Sequence, residues 1–115
     1  MKTLKLKTVI SNLNLEIVSG NNISQSKFEG AYVSDLLSDV MGNAKRNDIW
    51  ISMQSHINIV AVASLRELSA IIITGKSKAD DKTIKKAGEE GVVILKSSKP
   101  TFETSGELYD LLKEE

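Results

Sequence analysis

The chain has 115 residues, 41% of them hydrophobic and 26% charged, with 15 basic and 15 acidic side chains that cancel. That length suits one domain, residues 1–115, with a core of its own, and the neutral balance argues against a nucleic-acid surface, which needs a basic excess. The lack of cysteine excludes a disulfide, a thiol nucleophile and a Cys-ligated metal, and a single His excludes a His-rich metal site.

In chain order, Leu4, Leu6, Val9, Ile10 and Leu13 are spaced like one face of a short helix, with Thr3 as its N-cap. The alternation of Leu4 and Leu6 equally opens a strand. Leu15, Ile17 and Val18 read as a strand closed by the turn signal Gly20-Asn21-Asn22. Phe28 to Val33 is a further strand with Gly30 inside it. Ser34 and Asp35 are N-cap candidates for a helix over Leu36 to Met41, whose apolar stripe is Leu36, Leu37, Val40 and Met41; Gly42-Asn43 is its stop.

Ile49 to Met53 is the next strand. The nearly continuous apolar run from Ile57 to Leu68 contains Ala61, Ala63, Ser64 and Arg66-Glu67, and its length favours a buried helix that Asn58 would cap. Ala70 to Thr74 carries three consecutive Ile, as a strand covered on both faces does. Asp80 or Asp81 starts a helix with Ile84, Ala87 and Gly88 inward and Gly91 as its left-handed cap. Val92 to Leu95 is the last strand. Pro100 to Thr104 opens a final helix with Phe102, Ser105, Gly106, Tyr109 and Leu112 on one side. The second half is therefore β-α-β-α-β-α. Right-handed crossovers then give an α/β fold, a three-layer α/β/α arrangement around a mostly parallel sheet of about five strands. The loops after the strands, including Lys76-Ser77-Lys78 and Lys96-Ser97-Ser98-Lys99, fall at the carboxyl edge, where open α/β sheets usually bind ligands.

No apolar run approaches the ~20 residues needed to span a bilayer, and the interleaved charges of Met1 to Lys7 are unlike a signal peptide. A cytoplasmic protein with no membrane partner is expected.

Several stretches invite chemistry. Gly75-Lys76-Ser77 ends like a phosphate loop, but position 70 is Ala70 and the interval is the Ile71-Ile72-Ile73 strand, so the spacing fails. Backbone N–H groups beside Lys76 still offer an anion site; the plain reading is a solvated turn. His56, with Ser52 or Ser55 and Asp35, holds the atoms of a hydrolase triad, against the reading of a loop His facing backbone or a partner. Asp35 and Asp39 lie one helical turn apart, as a divalent site would require, but Asp35 at a helix start favours a cap. Trp50 reads as core or as an interface anchor. With one Trp, two Tyr and two Phe, no aromatic-plus-basic nucleic-acid surface is evident. Thr101-Phe102-Glu103-Thr104 combines hydroxyls with free N–H groups at a helix start, which suits an anion; the favoured reading is an N-cap with Phe102 in the core.

The blocks Ala31-Tyr32-Val33-Ser34-Asp35-Leu36-Leu37-Ser38-Asp39-Val40-Met41, Val60-Ala61-Val62-Ala63, Ile71-Ile72-Ile73-Thr74-Gly75 and Thr101-Phe102-Glu103-Thr104 follow one another as in a DRTGG domain, which the chain resembles from roughly Leu4 to Tyr109. The resemblance implies an α/β/α fold like the N-terminal domain of HPr kinase/phosphorylase, without that kinase's P-loop domain. It implies no catalytic activity and a regulatory or ligand-binding role. DRTGG domains accompany CBS pairs and sit inside some phosphotransacetylases. Short stand-alone forms resemble proteins encoded near iron-only hydrogenases. The family's Asp-Arg pair falls near Ser55-His56 here, and its Thr-Gly-Gly is Thr74-Gly75-Lys76. Arg and His do not grip phosphate alike, since only Arg offers a fixed, permanently charged fork.

The expected function is a non-catalytic regulatory module that binds a small anionic ligand, with a nucleotide as a candidate, at the carboxyl edge of the sheet. Its expected site residues are Asp35, Ser55, His56, Thr74, Gly75 and Thr101, with no metal and no cofactor. The alternative is a homodimeric interaction module that docks on a redox or signalling partner through Trp50 and the Ile-rich segments. A third reading is a small phosphatase or acyl-transfer enzyme using His56.

Overall fold

A computed structural model describes residues 3–20 and 23–113. The elements are β1 (Leu4–Lys5), α1 (Leu6–Leu13), β2 (Glu16–Ser19), β3 (Lys27–Phe28), β4 (Gly30–Val33), α2 (Leu37–Asn43), β5 (Asp48–Ser52), α3 (Asn58–Leu65), β6 (Ala70–Ile73), α4 (Asp81–Glu90), β7 (Ile94–Lys96) and α5 (Thr101–Lys113). β1 and β3 form a small antiparallel pair, Leu4 against Phe28. The main sheet has the order β2-β7-β6-β5-β4. β4, β5, β6 and β7 run parallel, and β2 joins β7 antiparallel.

The sheet separates two apolar layers. Ile49, Ile51, Ile72 and Leu95 pack on Leu6, Val9 and Leu13 of α1 and Leu108 of α5. On the other face, Trp50, Ile71, Ile73 and Ile94 pack on Val40 of α2, Ile59, Val60 and Ala63 of α3 and Ala87 of α4. The alternation of Ile71, Ile72 and Ile73 between the layers is the two-fold side-chain period of a strand covered on both sides. The expected three-layer α/β/α architecture is present.

Several local expectations are corrected. Leu4 and Lys5 form a strand, and helix α1 begins at Leu6 with Lys5 at its N-cap and no side-chain cap, so Thr3 is not the cap. The Phe28-to-Val33 segment breaks at Glu29, whose N–H donates to Asn47 O at 3.0 Å. That break lets β3 pair with β1 while β4 pairs with β5. Helix α2 runs through Gly42 and Asn43 and ends at Ala44. Ile57, not Asn58, is the N-cap of α3, with no side-chain cap bond. In α4 the buried residues are Thr83 and Ala87, and Gly88 is exposed. Asp80 caps α4 by accepting the Thr83 N–H at 2.9 Å, and Gly91 closes it at φ 71°. The expected turn residues Asn21 and Asn22 lie outside the described residues.

Phe102 is not in the core: it is 87% exposed, and α5 instead buries Thr104 and Leu108. Trp50 is fully buried, and its Nε1 donates to Ser34 O at 2.8 Å. Its ring belongs to the core, and no part of it is free to anchor a partner.

Candidate functional site

Parallel pairing brings the carboxyl ends of β4, β5, β6 and β7 to one edge, at Val33, Ser52, Ile73 and Lys96. The loops that leave these strands are bound to one another. Asp35, just after β4, reaches β5: its Oδ1 accepts Ser52 Oγ at 2.7 Å and Met53 N–H at 2.8 Å. Gln54 Nε2 donates to Asp35 O at 2.9 Å. Asp35 is therefore not the helix cap expected of it. Leu36 is the N-cap of α2, and Ser34 Oγ accepts the Leu36 N–H at 3.1 Å. A short side chain can bond only one neighbourhood, and the parallel register puts Met53 N–H within its reach.

The loop after β5 leans on α4. Thr83 Oγ1 donates to Asp80 Oδ1 at 2.8 Å and approaches Ser55 O at 3.4 Å. Asp80 is held below the ordinary carboxylate range by the Thr83 N–H, the Thr83 hydroxyl and the positive charge of Lys82 and His56 nearby. A cleft of about 290 Å³ opens between these loops, lined by Asp35, Met53, Gln54, Ser55, His56 and Ser77.

Three of the six expected residues, Asp35, Ser55 and His56, meet in this cleft. The other three lie beside it. Thr74 is fully buried, its N–H donates to Ser52 O at 2.9 Å, and its Oγ1 lies 2.6 Å from Thr101 Oγ1. The two threonines thus satisfy each other and tie α5 to the end of β6. Gly75 turns the chain at φ 74°, a conformation that favours glycine, and a Cβ there would lie 3.3 Å from Met53 Sδ. Its carbonyl accepts Lys96 Nζ at 2.6 Å, and Ser97 O accepts the same ammonium at 2.9 Å. Burial lowers the Lys96 pKa, with Lys78 adding repulsion and Glu16 opposing both.

The other candidate constellations do not assemble. Ser52 Oγ is committed to Asp35 and to the Gln54 N–H at 3.0 Å, so it is not paired with His56. Asp39 Oδ1 accepts Tyr32 OH at 2.8 Å and Asn43 Nδ2 at 2.9 Å, apart from the partners of Asp35. These hydrogen bonds, Tyr32's first and then Ser34's and Asn43's, lower the Asp39 pKa; the bond to Asp39 raises that of Tyr32. Among the described residues no three His, Asp or Glu side chains cluster as a metal site would need, and no helix is long and apolar enough to cross a membrane. The sequence reading missed Gln54 and Lys96 as organisers of the edge. Gln54 lies two residues beyond β5 and Lys96 is the last residue of β7, and nearness to a strand end was their only signal.

Comparison with known proteins agrees with the fold. A family model described as the DRTGG domain matches residues 8–111. No curated protein matches the chain. Among solved structures, the CBS and DRTGG domains of the regulatory region of Clostridium perfringens pyrophosphatase, complexed with its activator diadenosine tetraphosphate, superpose with a TM-score of 0.75 at 19% identity. The match covers 90% of this chain and 45% of that one, so this chain spans less than half of that structure.

Proposed function

Because the chain belongs to the DRTGG domain family, we propose that it is a cytoplasmic, non-catalytic regulatory module that senses a small anionic ligand, foremost a nucleotide. The ligand would sit at the carboxyl edge of the sheet, in the cleft of Asp35, Gln54, Ser55, His56 and Ser77. One observation carries this reading: side chains from three separate loops converge there, on loops held in place by Asp35, Thr83 and Lys96. The structural neighbour supports it, being a regulatory region complexed with a nucleotide activator.

The cleft's chemistry suits a mixed ligand better than a bare anion. The Ser55 and Ser77 hydroxyls line it and are donors for phosphate oxygens. Asp35 repels a second anion and accepts from a hydroxyl or amine. A nucleotide offers both kinds of group. Thermal-shift titration with adenine and guanine nucleotides, coenzyme A, acetyl phosphate and inorganic phosphate tests this. A ligand at about 100 times its Kd adds about 2.7 kcal/mol, a rise of several degrees for a domain this size. A shift that His56→Ala and Ser55→Ala both weaken fits the reading. A panel without any shift removes it.

Self-association is the second reading. It is favoured by exposed apolar side chains along one edge, Val33 at 48% and Tyr109 at 65%, and not by Trp50. A redox or signalling partner would dock on the resulting dimer.

A further inference from the structure

The main sheet has two edges, and they differ. Edge strand β2 carries Glu16 and a break in register between Ile17 and Ser19. Charge and irregularity of that kind blunt an edge against pairing. Edge strand β4 reads Gly30-Ala31-Tyr32-Val33, with no charge, no proline and a regular register on β5. The Ser34 N–H donates to Ile51 O at 3.3 Å. The even-numbered residues of β4 therefore turn their backbone groups to β5, and Ala31 and Val33 turn theirs outward.

Clefts flank β4 on both faces. One, of about 490 Å³, runs between the strand and α5, lined by Val33, Ile51, Ser105, Leu108, Tyr109 and Leu112. Within it Ser105 Oγ is buried without a hydrogen-bond partner. The other, of about 460 Å³, surrounds Gly30, Tyr32, Lys45 and Arg46. Arg46 pairs with Glu67 at 3.4 Å, while Lys45, whose backbone N–H donates to Asp48 Oδ2 at 2.8 Å, makes no ion pair through its ammonium among the described residues.

We propose that β4 is a dimerisation strand, pairing antiparallel with β4 of a second copy of this chain about a two-fold axis at Ala31. This is independent of the ligand site. Three features select a second copy. The outward groups of Ala31 face their own equivalents, so the contact is isologous and closes. The register sets each Tyr32 opposite the other copy's Gly30, where an aromatic ring covers the bare backbone of an edge glycine. The same step brings each Asp39 carboxylate, held ionised beside Tyr32, towards the unpaired Lys45 of the other copy, which is charge complementarity. The result is one continuous sheet through both copies, with Val33 and Tyr109 covered on the α5 side.

Sedimentation equilibrium of the full chain from micromolar to near-millimolar protein tests this. The expected mass is twice the 12.6 kDa of one chain. Ala31→Lys puts a charge on the edge and is expected to leave only monomer, with the circular dichroism spectrum of the wild type. Val33→Lys, at an exposed position, is expected to do the same should Ala31→Lys not fold. Lys45→Glu is expected to raise the dissociation constant at least tenfold at low salt, with the difference shrinking as salt rises. Amide exchange at Ala31 should be slow in the dimer and fast in both edge variants. A wild-type chain that is monomeric throughout overturns the proposal and leaves the edge to a strand of another protein. A dimer that survives both Lys substitutions overturns it as well, because the contact then lies elsewhere.

Discussion

Asp35 shows how one side chain is assigned by its surroundings. By spacing it is a helix cap; by register it is the tie between β4 and β5. Both donors to its Oδ1, Ser52 Oγ and Met53 N–H, come from the end of one strand. Asn keeps an acceptor of the same shape without the charge, and Ala removes it. Asp35→Ala is expected to cost about 1–2 kcal/mol and Asp35→Asn less than half of that, read from urea midpoints. Equal losses would mean that the charge, not the geometry, matters. Asp80 is a second case. Its pKa in the folded chain lies below the 3.8 it has when unfolded, so the folded state holds fewer protons in that window. Its contribution is complete above about pH 3.8 and is lost as pH falls through the lower folded value. Asn caps without titrating. Asp80→Asn should therefore be nearly as stable as the wild type near pH 7 and lose less stability below pH 3.8. An unchanged acid limb would place the acid sensitivity on other carboxyls.

At the scale of elements, strand and helix order was legible because period and length disagree strongly between them. Ile71-Ile72-Ile73 admits little but a doubly covered strand, and Asp80 with Gly91 brackets α4 at both ends. What was not legible is which face of an element meets the core when two faces compete. On α5, Phe102 and Tyr109 mark one stripe, and Thr104 and Leu108 mark another about a third of a turn away. Hydrophobicity favours the first stripe. The tie of Thr101 to Thr74 and of Ser97 Oγ to Thr104 Oγ1 at 2.7 Å turns the second one inward. Those hydroxyl pairs are tertiary contacts with no local signature. The same limit explains the site: Ser55 and His56 follow a strand and were found by that position, while Thr74 follows one too and is buried. Phe102→Ser should change stability by less than about 0.5 kcal/mol, as at other exposed positions. Leu108→Ala, in the core beside Ile49 and Ile72, should cost about 2–5 kcal/mol. Chemical denaturation of the two variants separates the faces directly, and a large loss for Phe102→Ser would contradict the docking of α5.

Across the whole molecule, two apolar layers share one sheet, and that sharing couples them. Ile72 faces α1 and α5, while its neighbours Ile71 and Ile73 and the cross-strand Trp50 face α2, α3 and α4. Neither layer can lose its strand without stripping the other, so the cores should unfold together despite having no side chain in common. Trp50 is the one tryptophan of the chain and is fully buried in the second layer, which makes its fluorescence a reporter of that layer alone. Ile72→Ala opens a cavity only in the first layer, at about 2–5 kcal/mol. The expected result is that the fluorescence midpoint falls by the full amount and coincides with the loss of far-ultraviolet circular dichroism, as a two-state transition requires. If the fluorescence midpoint stayed in place while the circular dichroism transition moved, the layers would be separate cooperative units. A ligand seated at the carboxyl edge would then stabilise only the layer that its loops enter. With coupled layers, occupancy of the Asp35–His56 cleft strengthens the whole sheet, out to the β4 edge where a second copy would attach.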